Sequence, residues 1–339
     1  MTKTYLVGAA GHGNLGDDFI AYAVTSQEEF SEIVIMGGSK FLPCYSQVSQ
    51  SRLKFLKRPC GRIIIGGGGL LNDHWSLDYL IYFTSLVIIA RIRGIKVAIC
   101  GVGAENFEKL TGRLLLRILV RCSHVVYLRD EQSKQNVLRV TNKLDISISG
   151  DLAWLYRGRV RAQFRDSRDI ETLIVTIAGE QSNSWLERRE SLIRNLQILR
   201  QNKKIRIHFL PMQVSGEYLH NDLILFDEIA QRFKPEQVLR PNSVTEVIEH
   251  IRNADLVYGY RMHASIIAAL HGVPSVIHSR SSKISGALED VPIVRILGDT
   301  EELKHTDLIF TQKQYDATNE VLSEKLRTVM DALKKSSTS

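Results

Sequence analysis

The sequence predicts an α/β protein made of two successive domains, each a parallel sheet covered by helices, facing each other across a cleft. Three observations lead there. Short β-branched runs alternate with helical patterns along nearly the whole chain, which is the signature of strand–helix–strand units. The alternation breaks once, in the polar, arginine-rich stretch 157–169, and then restarts. With 339 residues there is enough chain for two separate hydrophobic cores. The expected organisation is one domain over 1–156, a second over 170–311 and a closing amphipathic helix over 312–335.

In the first half, the apolar, β-branched runs at 4–9, 32–36, 62–65, 96–100, 124–128 and 145–149 read as strands. Helical patterns fall between them at 17–24, 76–93, 110–121 and 131–140. The apolar stretch 77–90 is interrupted by Asp78 and is too short to span a bilayer, so it reads as a buried helix. After the linker, strands are expected at 172–177, 205–210, 255–258 and 275–278, with helices at 185–201, 218–232, 244–253 and 264–270. No short repeat and no low-complexity segment is present.

Composition narrows the class. Hydrophobic residues at 44% and charged residues at 24% are ordinary for a soluble globular protein, and a cytoplasmic location is expected. The run at 4–9 follows directly on Met1–Lys3, so no signal peptide is read there. Cys44, Cys60, Cys100 and Cys122 have neither Cys-x-x-Cys spacing nor histidine partners, which fits reduced, inert thiols. A formal charge of +7 favours acidic partners. Nucleic acid is not among those expected, because no basic stripe is interleaved with aromatics. No metal is expected either, since no metal-ligand spacing appears.

In open parallel sheets ligands bind beyond the carboxyl ends of strands, beside the following helix N-termini, so polar or glycine-rich clusters there are site candidates. The first is Gly11-His12-Gly13-Asn14-Leu15-Gly16-Asp17-Asp18. Its Gly-x-Gly-x-x-Gly does not read as a dinucleotide site. Asp17 and Asp18 occupy the first helical turn, where they would repel a pyrophosphate, and no acid ends the second strand to grip a ribose. The plainer reading of both acids is helix capping. The second cluster, Gly66 to Gly69 followed by Asn72, Asp73 and His74, lets backbone approach closely at Gly68 and places His74 near a cleft; tight loop packing is the alternative. Gly101-Val102-Gly103-Ala104 follows the next strand, and Arg129-Asp130 the one after. Arg129 is placed to hold an anion, against the alternative of a surface ion pair with Asp130.

The most informative cluster is Gly259-Tyr260-Arg261-Met262-His263, between strand 255–258 and helix 264–270. It sets a guanidinium and an imidazole at the positive end of a helix, with no acid following, so an anionic ligand is the expected compensation. Arg280-Ser281-Ser282-Lys283 adds a second basic loop. The amino-terminal clusters thus suit hydroxyl-rich neutral groups and the carboxyl-terminal ones a small, multiply charged anion.

The ordered set Gly13-Asn14-Leu15-Gly16-Asp17, Gly66 to Leu71, Gly101-Val102-Gly103, Arg129-Asp130 with Ser133, Gly150-Asp151 and Arg261-Met262-His263 through Pro274 to Lys283 resembles the polysaccharide pyruvyl transferase family over nearly the whole chain. The resemblance implies two Rossmann-like domains arranged as in the GT-B glycosyltransferases. It also implies phosphoenolpyruvate as donor, a glycan or lipid-linked sugar as acceptor, a cyclic pyruvate ketal as product and no cofactor. Donor-binding positions carried over are Arg129, Arg261, Met262 and His263, with Lys283 and Arg280 beside them; the acceptor or cleft side takes Asn14, Asp17, Asp18, Gly68 and His74. His263 is the expected general acid, Arg261 a charge clamp, and Asp17 the group that orients or deprotonates an acceptor hydroxyl. Two departures are visible: Glu105-Asn106 stands where many members have Gly-Pro, and Arg280 where a tyrosine is common.

Two other functions fit the same architecture, a nucleotide-sugar glycosyltransferase and a non-catalytic glycan- or anion-binding protein. Peripheral membrane contact is also expected. Arg113, Arg117 and Arg121 share one face of helix 110–121, whose other faces are apolar. A solvated outer face is the plainer account of that stripe.

Overall fold

The computed structural model describes residues 3–27, 33–36, 40–42, 47–48, 60–74, 77–142, 145–156, 170–179, 184–216, 220–279 and 282–338. The expected linker 157–169 lies outside them. Within the first half, the β-branched runs form β1 (Lys3–Val7), β2 (Ile33–Met36), β3 (Gln47–Val48), β4 (Cys60–Gly66), β5 (Lys96–Val102), β6 (Val125–Leu128) and β7 (Ile146–Ile148). They pair as one all-parallel sheet in the order β3-β2-β1-β4-β5-β6-β7. The helices between them are α1 (Leu15–Thr25), α2 (Leu77–Ile92), α3 (Leu110–Cys122) and α4 (Glu131–Leu138). Ile63, Ile65, Val97, Ile99 and Val126 are buried beneath α2 and α3, as near-continuous apolar strands of a doubly covered sheet should be.

The second half repeats the plan. Strands β8 (Thr172–Thr176), β9 (Arg206–Phe209), β10 (Gln237–Val238), β11 (Leu256–Gly259), β12 (Ser275–Ser279) and β13 (Val294–Gly298) form a second parallel sheet in the order β10-β9-β8-β11-β12-β13. Its helices are α5 (Ser184–Arg200), α6 (Asp222–Ala230), α7 (Val244–Arg252), α8 (Met262–Leu270) and α9 (Ser282–Leu288), and α10 (Gln312–Thr338) ends the chain. Ser243 caps α7 by accepting the Glu246 amide, and Asn221 caps α6 by accepting that of Leu223.

Two compact units result. One contains Met1–Gly11, Asp17–Tyr156 and Glu324–Ser339; the other contains His12–Gly16 and Arg157–Ser323. The last turns of α10 therefore return to the first unit, where Val329 is buried and Lys325 lies over the Trp154 ring. Five residues from the amino-terminal glycine loop belong instead with the second unit, because their hydrogen bonds run to the loop after β9. Of the cysteines, Cys60, Cys100 and Cys122 are free thiols, and burial pushes Cys60 up to about 11, which keeps it protonated. Cys44 lies outside the described residues.

Candidate active site

Both sheets reverse their strand order at one place, where the connections leave in opposite directions and open a crevice at the strand ends. In the first sheet that point lies between β1 and β4, in the second between β8 and β11.

At the second switch point, Gly259 ends β11 with φ +138°, and a Cβ there would stand 1.9 Å from the Thr176 carbonyl oxygen. Only glycine lets β11 run so close to the end of β8. The chain then enters α8 with Arg261 as N-cap, a residue that makes no side-chain cap hydrogen bond. Its guanidinium turns back across the switch point instead. Arg261 Nε donates to the Ile177 carbonyl at 2.7 Å and to Asp222 Oδ2 at 3.1 Å, and Nη2 pairs with Asp222 Oδ1. Among the described residues, no hydrogen bond engages Arg261 Nη1, and the side chain keeps a fifth of its surface exposed.

Asp222 corrects the expectation that nothing acidic neutralises Arg261. The acid does not follow in sequence; it precedes by 39 residues, in the first turn of α6, and folding brings it alongside. Fully buried, its Oδ2 also accepts the amides of Met212 and Gln213, at 2.9 and 3.0 Å. Those amides belong to the segment that anchors the glycine loop. Leu15 donates to the Met212 carbonyl at 2.7 Å, Val214 to the Gly13 carbonyl at 2.9 Å, and Ser215 Oγ to the His12 carbonyl at 2.8 Å. Asn14 forms a bridge with Gln213, and its Oδ1 accepts the Gly16 amide at 3.0 Å, closing an Asx-type turn. The loop ends against the imidazole of His263, where a Cβ on Gly16 would lie 2.3 Å from Nδ1. A closed circuit thus fixes Arg261 and His263 relative to each other: Arg261 to Asp222, Asp222 to the 212–215 segment, that segment to the glycine loop, and the loop to His263. Met262, between them, is half-buried in the first turn of α8.

The first switch point has another chemistry. A narrow hollow lies at the ends of β1 and β4, where Gly8, Ala9, Gly66 and Gly67 meet Leu6, Ile20 and Ile35, with Asp17 at its wall. Asp17 is half-buried there, and Gly68 passes so near that a Cβ on it would sit 2.8 Å from Asp17 Oδ1. Asp18 is fully buried, its Oδ1 accepting the Gly11 amide at 2.8 Å, so this carboxylate closes the loop onto α1.

Arg129 is not the surface residue that an ion pair of small consequence would imply. It is buried, with Nε donating to Asp130 Oδ2 at 3.0 Å and Nη1 lying 3.6 Å from Asp151 Oδ2. Both acids also cap helical turns, Asp130 through the Ser133 amide and Asp151 through that of Ala153. The guanidinium therefore braces two turns, and its charge is shared by two carboxylates. His74 is exposed and donates Nε2 to the Asn106 carbonyl at 3.1 Å. The buried acid beside it, Asp73, accepts the Glu108 and Lys109 amides ahead of α3 and supplies the cap that Lys109 lacks. Arg280 and the side chain of Lys283 lie outside the described residues.

Comparison with known proteins agrees with this fold. The sequence profile of the polysaccharide pyruvyl transferases matches residues 14–282. No curated protein matches the chain significantly. Among solved structures, a UDP-GlcNAc 2-epimerase from Neisseria meningitidis bound to UDP-GlcNAc superposes with a TM-score of 0.58 at 9% identity, covering 99% of this chain and 100% of that one. A putative UDP-N-acetylglucosamine 2-epimerase from Listeria monocytogenes gives 0.58 at 11%, covering 96% and 90%. Anabaena HepE in complex with UDP and glucose gives 0.58 at 10%, covering 99% of each chain. At such identities the likeness is one of fold, the two-domain α/β architecture of GT-B enzymes.

Proposed function

The chain belongs to the polysaccharide pyruvyl transferase family, and from that premise we propose that it moves the pyruvyl group of phosphoenolpyruvate onto two hydroxyls of a glycan or lipid-linked sugar precursor in the cytoplasm, forming a cyclic ketal. The observation that carries the reading is the Arg261–His263 pair. A cation and a proton carrier are held in fixed relation at the second switch point by the Asp222 circuit.

The donor presents a carboxylate and a phosphate around an enol carbon. Arg261, oriented through Asp222, uses its remaining guanidinium edge to hold one of these anions; Lys283 and Arg280 serve the other. His263 delivers a proton to the methylene carbon, which becomes the methyl group and leaves the central carbon electrophilic. A first sugar hydroxyl adds to that carbon and gives up its proton; phosphate then departs, and a second hydroxyl adds to close the ketal. Of the two hydroxyl protons, one replaces that given by His263 and the other leaves with phosphate. Asp17 takes the proton of the first attacking hydroxyl and hands it to the departing phosphate, so it ends in its starting charge state. Asn14 shapes the glycine loop beside His263, and Gly68 gives Asp17 its room. Arg129 acts at one remove, by bracing the turns at Asp130 and Asp151.

The direct test is incubation with phosphoenolpyruvate and a panel of glycan acceptors. Phosphate release together with a mass gain on the glycan supports the reading. Turnover of a nucleotide sugar in place of phosphoenolpyruvate overturns it.

A further inference from the structure

The connections β4–α2–β5 and β5–α3–β6 advance across the first sheet in one direction, so the right-handed crossover rule sets α2 and α3 on the same face, with outer surfaces turned the same way. Their inner sides are ordinary core, with Leu80, Phe83, Leu86 and Leu119 fully buried. Their outer sides are not ordinary. Of the ten large apolar side chains left exposed among the described residues, six are here: Tyr79, Ile81, Ile88 and Ile92 on α2, Leu110 and Leu114 on α3. Ile92 and Leu110 are about as open as a folded residue can be, at 80% and 81%, and Leu114 is 56% exposed. Ile81, Ile88 and Ile92 repeat at helical spacing, so α2 is apolar on both sides. A helix of that kind normally has something covering its outer stripe.

Charge says what covers it. Arg91, Arg93, Arg113, Arg117 and Arg121 are all exposed on α2, α3 and the turn between α2 and β5. Among the described residues, none of the five makes an ion pair. Two are held in place by their Nε groups, Arg113 on the Phe107 carbonyl at 3.1 Å and Arg117 on the Val140 carbonyl at 2.7 Å. This restrains the side chain at little loss of donors, since the terminal nitrogens are still available. Arg117 and Arg121 also line an open groove against Thr141 and Asn142, wide enough for a headgroup. Exposed acids on the same stretch are confined to Asp78 and Glu108. A second copy of this chain, docked by the same face about a two-fold axis, would set arginines against arginines.

We propose that the α2–α3 face docks on an anionic lipid bilayer, with the isoleucines and leucines entering the boundary between headgroups and acyl chains and the arginines pairing with lipid phosphates. No helix among the described residues is long and apolar enough to cross a membrane, so the contact is peripheral. The inference is independent of which donor the active site uses.

The test is co-sedimentation of the full chain with vesicles of phosphatidylcholine alone and of phosphatidylcholine mixed with phosphatidylglycerol. Binding is expected only to the mixed vesicles, weakening as salt rises. Changing Arg113, Arg117 and Arg121 together to glutamate should lower the affinity about a hundredfold, since each cation near such a surface is worth about fivefold. Ile88→Ser with Ile92→Ser should weaken binding at every salt concentration. If the glutamate variant does not fold by circular dichroism, the triple lysine variant decides, because it keeps the charge and should stay within a few-fold of wild type. Equal pelleting of wild type and the folded glutamate variant at low salt overturns the proposal. So does wild-type binding that ignores lipid charge, or a concentration-dependent dimer abolished by these same changes in a protein that binds no vesicle.

Discussion

The two sheets share one strand order around their switch points, yet the helices that start there carry opposite charge. In α1 the first turn holds Asp17 and Asp18, which complement the positive helix end. In α8 the N-cap is Arg261 and His263 stands in the first turn, which opposes it. The unfavourable arrangement needs a counterweight, and Asp222, in the first turn of yet another helix, provides it. One topology thus gives a carboxylate-and-glycine hollow in one unit and a cationic corner in the other. The difference comes from the first turns of the helices, while the sheets beneath them are alike.

Breaking the cationic corner should have the largest effect. Arg261→Ala is expected to cut turnover by about a thousandfold or more, as loss of a preorganised anion donor does. It also leaves the buried Asp222 with only its two backbone amides, so the unfolding free energy should fall by up to about 3 kcal/mol. Adding Asp222→Asn to Arg261→Ala separates the two effects: stability should recover while turnover does not. Wild-type turnover in the folded single variant would remove Arg261 from the site.

His263→Gln comes next. An amide can hydrogen-bond but cannot deliver a proton, so kcat should drop roughly a hundred- to ten-thousandfold with phosphoenolpyruvate affinity kept. A variant within a few-fold of wild type in kcat would make His263 a positioning residue only.

The two neighbouring acids of α1 sharpen the comparison from the other side. Asp17 faces the hollow, so Asp17→Asn should lower kcat by about a hundredfold with little change in melting temperature. Asp18 is buried on the Gly11 amide, so Asp18→Ala should instead cost about 1–3 kcal/mol of stability. Specific activity per folded molecule should stay near wild type. Measuring both quantities on both variants tells which acid faces chemistry, and reversed results would exchange their roles.

Much of this was legible because strand–loop–helix order is written in hydrophobic period. Every strand expected from a β-branched run is present, and the helix expected over 76–93 is α2, Leu77–Ile92. What escaped was too short or too mixed to carry a period. Strands β3 and β10 have two residues each, Arg295 interrupts β13, and the Ser282-Lys283 pair that opens α9 reads as part of a basic loop. The order of elements also put Arg261 and His263 at a helix start after a strand. It could not show that Asp222 reaches Arg261, that Arg129 lies between Asp130 and Asp151, or that His12–Gly16 belongs with the second unit. Those are pairings across many residues, which local patterns do not encode.

The smallest expected effect is on the stability of the second unit in acid. Three of its histidines are held below the usual imidazole range, chiefly by loss of hydration: half-buried His208 on β9, buried His278 on β12 and half-buried His271 at the end of α8, the last lowered to about 4. At His278 the neutral ring is built into a chain of hydrogen bonds. Asn195 donates to the Tyr258 hydroxyl at 2.8 Å, Tyr258 donates to His278 Nε2 at 2.8 Å, and His278 Nδ1 donates to the Gly298 carbonyl at 2.7 Å. A depressed folded-state value means the unfolded chain takes up the proton first. The stability that neutral burial contributes is therefore complete above pH ~6.5 and is lost as the pH falls toward about 4 at His271. Urea unfolding followed through Trp185, buried on α5, should show a midpoint that declines across this interval. His271→Gln should flatten the decline, since an amide takes up no proton in this range. An unchanged slope in that variant would assign the acid sensitivity to the other two histidines or to the carboxylates of the unit.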